Sequence, residues 1–187
     1  AKFLIQRLQG FPQQLTVPKT FPDDDRELFL EVAKDTWKFF NNIIDRERQI
    51  PLDQVHMGKD APISEGVMIG DYTNITNIGV YLMVVVSAGD FGFITKEDAV
   101  SRLKATLDQV ENLEHHDSGF LYNYYDTTTA EPTSYFVSFV DSAWFAAALY
   151  VVKNAFPDGL GAQCERMLGQ FNFGFFYDHV EQQMYLG

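Results

Sequence analysis

Cysteine, positive charge and membrane-length apolar runs are what this chain has least of. Its 187 residues contain one cysteine, Cys164. A single thiol forms no internal disulfide, so the fold must hold without one, and oxidising and reducing compartments both stay open. Lys and Arg number 14 against 26 Asp and Glu, a net charge of −12. A phosphate backbone must be met by clustered cations, so this balance excludes nucleic acid as a partner. It also speaks against an anionic membrane surface. The most apolar stretch, Ile75 to Ala88, is 14 residues long and is interrupted by Thr76, Asn77 and Ser87. A membrane span needs about 18 to 20 apolar residues, so no transmembrane segment is expected.

Several chemical signatures are missing too. "GDFGF" contains glycines, but no strand precedes it to make a phosphate cradle. There is no nucleophile elbow, and Cys164 has no evident His partner. His115 and His116 are adjacent, and neighbours on a helix point apart. With no second ligand pair in sight, no metal site is expected. "AKFLIQRLQG" lacks the ordered regions of a secretory signal. It does not begin with Met, so a processed or cloned fragment is expected.

What remains is a globular composition. Hydrophobic residues make up 46% and charged residues 21%, enough for one domain with a core. Residues 1–24 carry Pro12, Pro18 and Pro22 and end in "PDDD", which reads as an arm or linker. From residue 25 to 187 the pattern is helical. A first helix starts near Asp25, with Leu28, Val32, Phe39 or Phe40, and Ile43 at helical spacing. Residues 46–70 show no periodicity and read as a long loop. A second helix runs from about Thr73 to Ala88, with Gly89 suited to a left-handed cap. Thr95 to Asp98 resembles a capping box and announces a third, amphipathic helix. "VDSAWFAAALYVVKNAF" is a fourth helix, stopped by Pro157, and a fifth runs from about Leu160 to Phe171. Between the third and fourth lies "GFLYNYYDTTTAEPTSYFVSF". There "DTTTAEP" predicts a turn joining two short extended pieces, an aromatic hairpin. "FYDHVEQQMYLG" reads as the start of another hairpin.

The second and fourth helices are apolar nearly all round, whereas the first, third and fifth have a polar face. A helix apolar on all sides is buried on all sides, whereas every helix of a simple bundle shows one face to water. The alternation predicts two concentric layers: a mainly α, α/α toroid-type domain. Five helices are fewer than a closed toroid uses, so the expectation is a fragment, a partial barrel or a plain bundle. The inner helices would start with polar residues at the mouth of a central cavity.

Candidate functional residues gather at those mouths. Asp71 precedes the second helix, and Asn77 lies in its first turn. Asp126 sits in "YNYYDTTT", and Asp141 near the start of the fourth helix. Glycoside hydrolysis needs one carboxyl group as acid and a second carboxylate. A carboxyl group desolvated among aromatic rings suits proton donation. Plainer roles compete: Asp126 as a turn residue, Asp141 as a helix-start residue, Asp71 as a cap. Tyr122, Tyr124, Tyr125 and Trp144 could stack on sugar faces, with phenol groups meeting sugar hydroxyls; the same rings could instead close the core.

Those blocks, in order, resemble bacterial cyclic β-1,2-glucan synthases and related glucoamylase-like proteins. "TNIGVYLMVVVSAGDFGFI", "RLKATLDQVENLE", "GFLYNYYDTTT", "YFVSFVDSAWFAAAL" and "NFGFFYDHVEQQMYLG" carry the likeness, over roughly residues 35 to 187. Tyr124 stands where that family often has Trp, and Phe139 replaces a Thr. The resemblance implies an (α/α)6 barrel acting on glucan by hydrolysis or transglycosylation, without a cofactor. It implies that the domain is truncated at its C-terminus, so that the rest of a parent chain or a second subunit supplies further cleft residues. Asp126 and Asp141 carry over as catalytic candidates. Tyr122, Tyr124, Tyr125, Trp144, Asn77 and Asp71 are the substrate-binding candidates. A bacterial cytoplasm and a periplasm both remain open. The alternatives are a non-catalytic glycan-binding or scaffolding module, and a helical interaction domain whose apolar helices pair with another chain.

Overall fold

The computed structural model describes residue 20, residues 22–57 and residues 67–187. Nearly all of the arm expected at 1–24 lies outside the described residues. Among the described residues there are five α-helices: α1 (Asp25–Asn42), α2 (Ile75–Asp90), α3 (Lys96–Glu111), α4 (Phe139–Ala155) and α5 (Gly161–Gln170). Nine short strands pair antiparallel around them. They are β1 (Ile44–Asp45), β2 (Ile50–Pro51), β3 (Val55–Met57), β4 (Val67–Ile69), β5 (Tyr72–Asn74), β6 (Tyr124–Asp126), β7 (Pro132–Ser134), β8 (Tyr177–Asp178) and β9 (Gln183–Met184).

Four helix starts are written in side chains. Asp24, Asn74, Thr95 and Ser138 each accept a backbone N–H from the first turn, at 2.9, 2.7, 3.1 and 3.2 Å. Such caps satisfy amides that have no intrahelical partner. At the end of α2 the glycine roles are exchanged. Gly89 stays helical, and Gly92 takes the left-handed conformation at φ 71°. Phe93 N–H reaches back to the Ala88 carbonyl at 2.8 Å and Gly92 N–H to that of Gly89 at 3.1 Å. That is a Schellman closure one turn later than expected.

α2 and α4 are the inner pair. They cross at Gly79, where an added Cβ would lie 3.1 Å from Phe145 Cα and 3.2 Å from the Trp144 carbonyl oxygen. A side chain there would push one backbone off the other by a few tenths of an ångström at least. α3 covers α2 on one side, and α5 covers α4. The layering is thus outer and inner in alternation, as the sequence pattern requires. The core runs through Ile78, Tyr81, Leu82 and Val85 of α2, Leu103 and Leu107 of α3, Phe145 and Leu149 of α4, and Cys164 of α5.

Two expectations change. Val32 and Phe39 of α1 are exposed; this helix meets the core through Trp37, which lies beneath the Arg102 guanidinium at 5.6 Å. The described residues of 46–70 are also more regular than their lack of period suggests. They hold β2, which pairs with β1, and the antiparallel pair β3–β4, and Asp45 Oδ1 accepts the amides of Glu47 and Arg48 to form the first turn. Asp45 is also 1% exposed. These hairpins are too short to show an alternating pattern.

The aromatic stretch joins the inner layer through a three-stranded sheet, β5-β6-β7. Gly119, at φ 85°, makes the turn into it, and a Cβ there would lie 1.9 Å from the Gln170 carbonyl oxygen. The C-terminal end of α5 therefore presses directly on that turn. Among the described residues, no helix is long and apolar enough to cross a membrane.

Candidate functional site

The register of the small sheet sorts its side chains. Tyr72 faces Asp126, Thr73 faces Tyr125 and Asn74 faces Tyr124 across β5 and β6. Alternate residues of a strand point to opposite faces. Thr73 and Tyr125 are fully buried. Tyr72, Asn74, Tyr124 and Asp126 share the other face, beside the start of α2. Tyr72 and Tyr124 meet edge to face, with ring centres 5.9 Å apart.

Two carboxylates converge on consecutive residues of α2. Thr76 Oγ1 donates to Asp141 Oδ1 at 2.5 Å. Asn77 Nδ2 donates to Asp53 Oδ1 at 2.5 Å. Hydrogen bonds to a carboxylate are short and strong, so both side chains are held in fixed places. Asp141 is delivered by the first turn of α4, where its own amide is capped by Ser138. Trp144, three residues on and half exposed, shares its helix face. Asp53 arrives from the other direction. Its amide donates to the Tyr72 carbonyl at 2.9 Å, which ties the segment before β3 to β5. Next to it, Gln54 Nε2 donates to the Tyr72 hydroxyl at 2.6 Å. Burial, and then the Asp53 carboxylate, push the Tyr72 phenol above its ordinary value, so it stays neutral.

The other sequence candidates divide. Asp126 Oδ1 accepts the amides of Thr128 and Thr129, both at 2.7 Å, and so forms the turn between β6 and β7. Arg48 braces that same turn by donating to the Thr128 carbonyl at 3.1 Å. Asp71 is exposed, and its carbonyl accepts from Thr127 N–H at 2.8 Å. Tyr125 has no exposed surface to offer a sugar. Its hydroxyl donates to the Glu114 carbonyl at 2.6 Å and accepts from Tyr122 N–H at 2.8 Å. Burial raises that phenol far above its usual range. Its geometry is that of a core strut. Tyr122 is 9% exposed and lies under Tyr135, which is 71% exposed and the more accessible ring. His115 Nδ1 donates to the Leu113 carbonyl, and His116 Nδ1 accepts from the Ser118 amide and meets its hydroxyl. No group of three or more His, Cys, Asp or Glu among the described residues is arranged to hold a metal.

Sequence reasoning missed Asp53. It lies in a stretch without periodicity, 24 residues before its partner Asn77, and only the fold joins the two. Thr76 stood inside a quoted motif, but its bond to Asp141 spans 65 residues and leaves no local trace.

No family model matches the sequence. Over 126 residues, 66% of this chain, it is 32% identical to the cyclic β-(1,2)-glucan synthase NdvB of Rhizobium meliloti (strain 1021). That stretch spans only 4% of the synthase. Among solved structures, a candidate glucoamylase from Bacteroides caccae superposes with a TM-score of 0.72 at 13% identity, over 88% of this chain and 41% of that one. An endo-β-1,2-glucanase from Chitinophaga pinensis, in complex with sophorotriose and glucose, gives 0.69 at 14% identity, over 83% and 38%. A β-1,2-glucanase from Parabacteroides distasonis gives 0.68 at 17% identity, over 90% and 24%. Structural likeness at such identities establishes the fold: a glucoamylase-like helical region, mainly α, with the layering of an α/α barrel.

Proposed function

We propose that this chain is part of a carbohydrate-active enzyme acting on glucan, with β-1,2-linked glucan the first substrate to test. The observation that carries this reading is the Thr76–Asp141 bond at the mouth of the inner helices, with Trp144 on the same helix face and the Tyr72–Tyr124 pair on the sheet beside α2. Aromatic faces and polar tips suit a sugar ring. The sequence likeness to a cyclic β-(1,2)-glucan synthase supports the linkage.

In this reading Asp141 is one of the two carboxyl groups of glycoside chemistry. One donates a proton to the departing glycosidic oxygen. The other assists the attack of water or a sugar hydroxyl on the anomeric carbon. Thr76 fixes the Asp141 rotamer. Asp126 remains the second candidate, although its turn bonds alone account for its position. The rest of a parent chain, or a second subunit, completes the cleft.

The test uses the full-length parent protein. Asp141→Asn is expected to cut sugar release or transfer from β-1,2-glucan by about a hundredfold to ten-thousandfold, while the melting temperature stays nearly constant. Asp126→Asn keeps an acceptor for Thr128 and Thr129, so a turn role predicts near-normal turnover and a catalytic role a large loss. Wild-type turnover in Asp141→Asn removes Asp141 from catalysis. If the wild-type protein binds glucan saturably but releases no product, the non-catalytic reading leads, with half-exposed Trp144 as its platform.

A further inference from the structure

Building on the glucan reading, we propose that Asp53, Gln54, Tyr72 and Asn77 form a second polar subsite, separate from Asp141, that holds an uncharged sugar residue. Asp53 and Asn77 are locked together at 2.5 Å, and Gln54 and Tyr72 at 2.6 Å. All four are half-buried, so they are fixed yet reachable. The Tyr124 ring stands edge-on to Tyr72 and widens the apolar surface beside the polar groups.

The donor and acceptor inventory selects the ligand. A carboxylate accepts only, amides do both, and a neutral phenol can donate or accept. Sugar hydroxyls match that set, because each can donate to Asp53 and accept from Asn77 or Gln54. An anionic sugar does not. A uronate or sugar phosphate would place its charge against Asp53, with Asp141 held by the next residue of α2. Arg48, the cation that reaches the neighbouring β6–β7 turn, is directed to the Thr128 and Thr129 carbonyls. Among the described residues no ion pair neutralises Asp53 or Asp141, and like charges brought together repel. The site therefore accepts neutral glucan and rejects acidic residues at this position.

Calorimetric titration of the full-length parent protein with sophorotriose tests this. Asp53→Asn and Asn77→Ala should each weaken binding at least tenfold, with melting temperatures confirming that both fold. Asp90→Asn, exposed at the far end of α2, should bind as wild type. Sophorotriose oxidised to a glucuronate at its non-reducing end should bind the wild-type protein at least tenfold more weakly than sophorotriose, and Asp53→Asn should narrow that gap. Wild-type affinity in folded Asp53→Asn and Asn77→Ala overturns the subsite while leaving the Asp141 reading intact. Equal affinity for the neutral and oxidised probes overturns the charge selection. If the wild-type protein binds no glucan at all, the subsite and the glucan reading fall together.

Discussion

α2 and α4 both start on a polar side chain that caps them, Asn74 in one and Ser138 in the other, and both run on into an apolar body. Their surroundings differ. α2 lies between α1, α3 and α4, and beyond its polar start only Ser87 and Asp90 are exposed. Among the described helices α4 packs chiefly on α2 and α5, with Phe173 and Phe176 against its first residue, Phe139. It leaves Val140, Trp144, Ala147 and Val151 exposed, at intervals of four, three and four residues that make one stripe. An apolar helix states that its faces are to be buried; it does not state by what. The same composition thus gives a finished core on one helix and an open face on the other.

The strongest way to break this comparison is at the crossing itself. Gly79→Val places branched carbon atoms where Phe145 Cα and the Trp144 carbonyl already stand. Backbone cannot swing aside as a side chain can. The expected loss is about 3 kcal/mol or more, measured by urea unfolding. A loss under about 1 kcal/mol would show that the two inner helices do not meet as closely as described.

That contact marks the limit of what the sequence alone could show. Helix order, the Thr95 cap and the inner–outer alternation were legible because each rests on a local pattern. The displaced glycine cap was not. Gly89 and Gly92 both sit within reach of the helix end, and Phe93 N–H bonding to Ala88 decides between them. In the candidate site, Asp141 and Asn77 were legible as polar residues at helix mouths. Asp53 was not, because its placement depends on the pairing of its amide with Tyr72. Tyr124 and Tyr125 are adjacent aromatics of one strand, and only the register tells which faces the core.

A smaller effect probes the covered side of α4. Cys164 of α5 is fully buried there, and burial raises its thiol from 9.0 to about 11. The unfolded thiol ionises first as pH rises. Below pH 9 the contribution to stability is therefore fully present, and it is lost between about pH 9 and 11. The decline is about 1.4 kcal/mol per pH unit, on the order of 2 to 3 kcal/mol in all. Thermal unfolding in buffers across that window should show a flatter decline for Cys164→Ala than for wild type. The buried Tyr125 phenol adds its own loss at the alkaline end, so the difference between the two proteins is what reads the thiol. Parallel curves would place Cys164 in contact with water.

The smallest expected effect gives the sharpest comparison, because one substitution can be made on both helices. Val85 of α2 is fully buried and Val151 of α4 is 38% exposed. Val85→Ala removes two carbon atoms from a packed site and should cost about 2 to 3 kcal/mol. Val151→Ala removes the same atoms from a face that water already reaches, and should cost less than about 1 kcal/mol in the chain by itself. The difference in unfolding free energy therefore measures how much of the α4 face lacks cover. Repeating the pair in the longer parent protein turns the measurement on the proposed assembly. If the remaining helices of a barrel pack on the α4 stripe, the Val151→Ala loss should rise towards that of Val85→Ala. If it stays small, the face remains open in the parent as well, and whatever completes the cleft is held elsewhere.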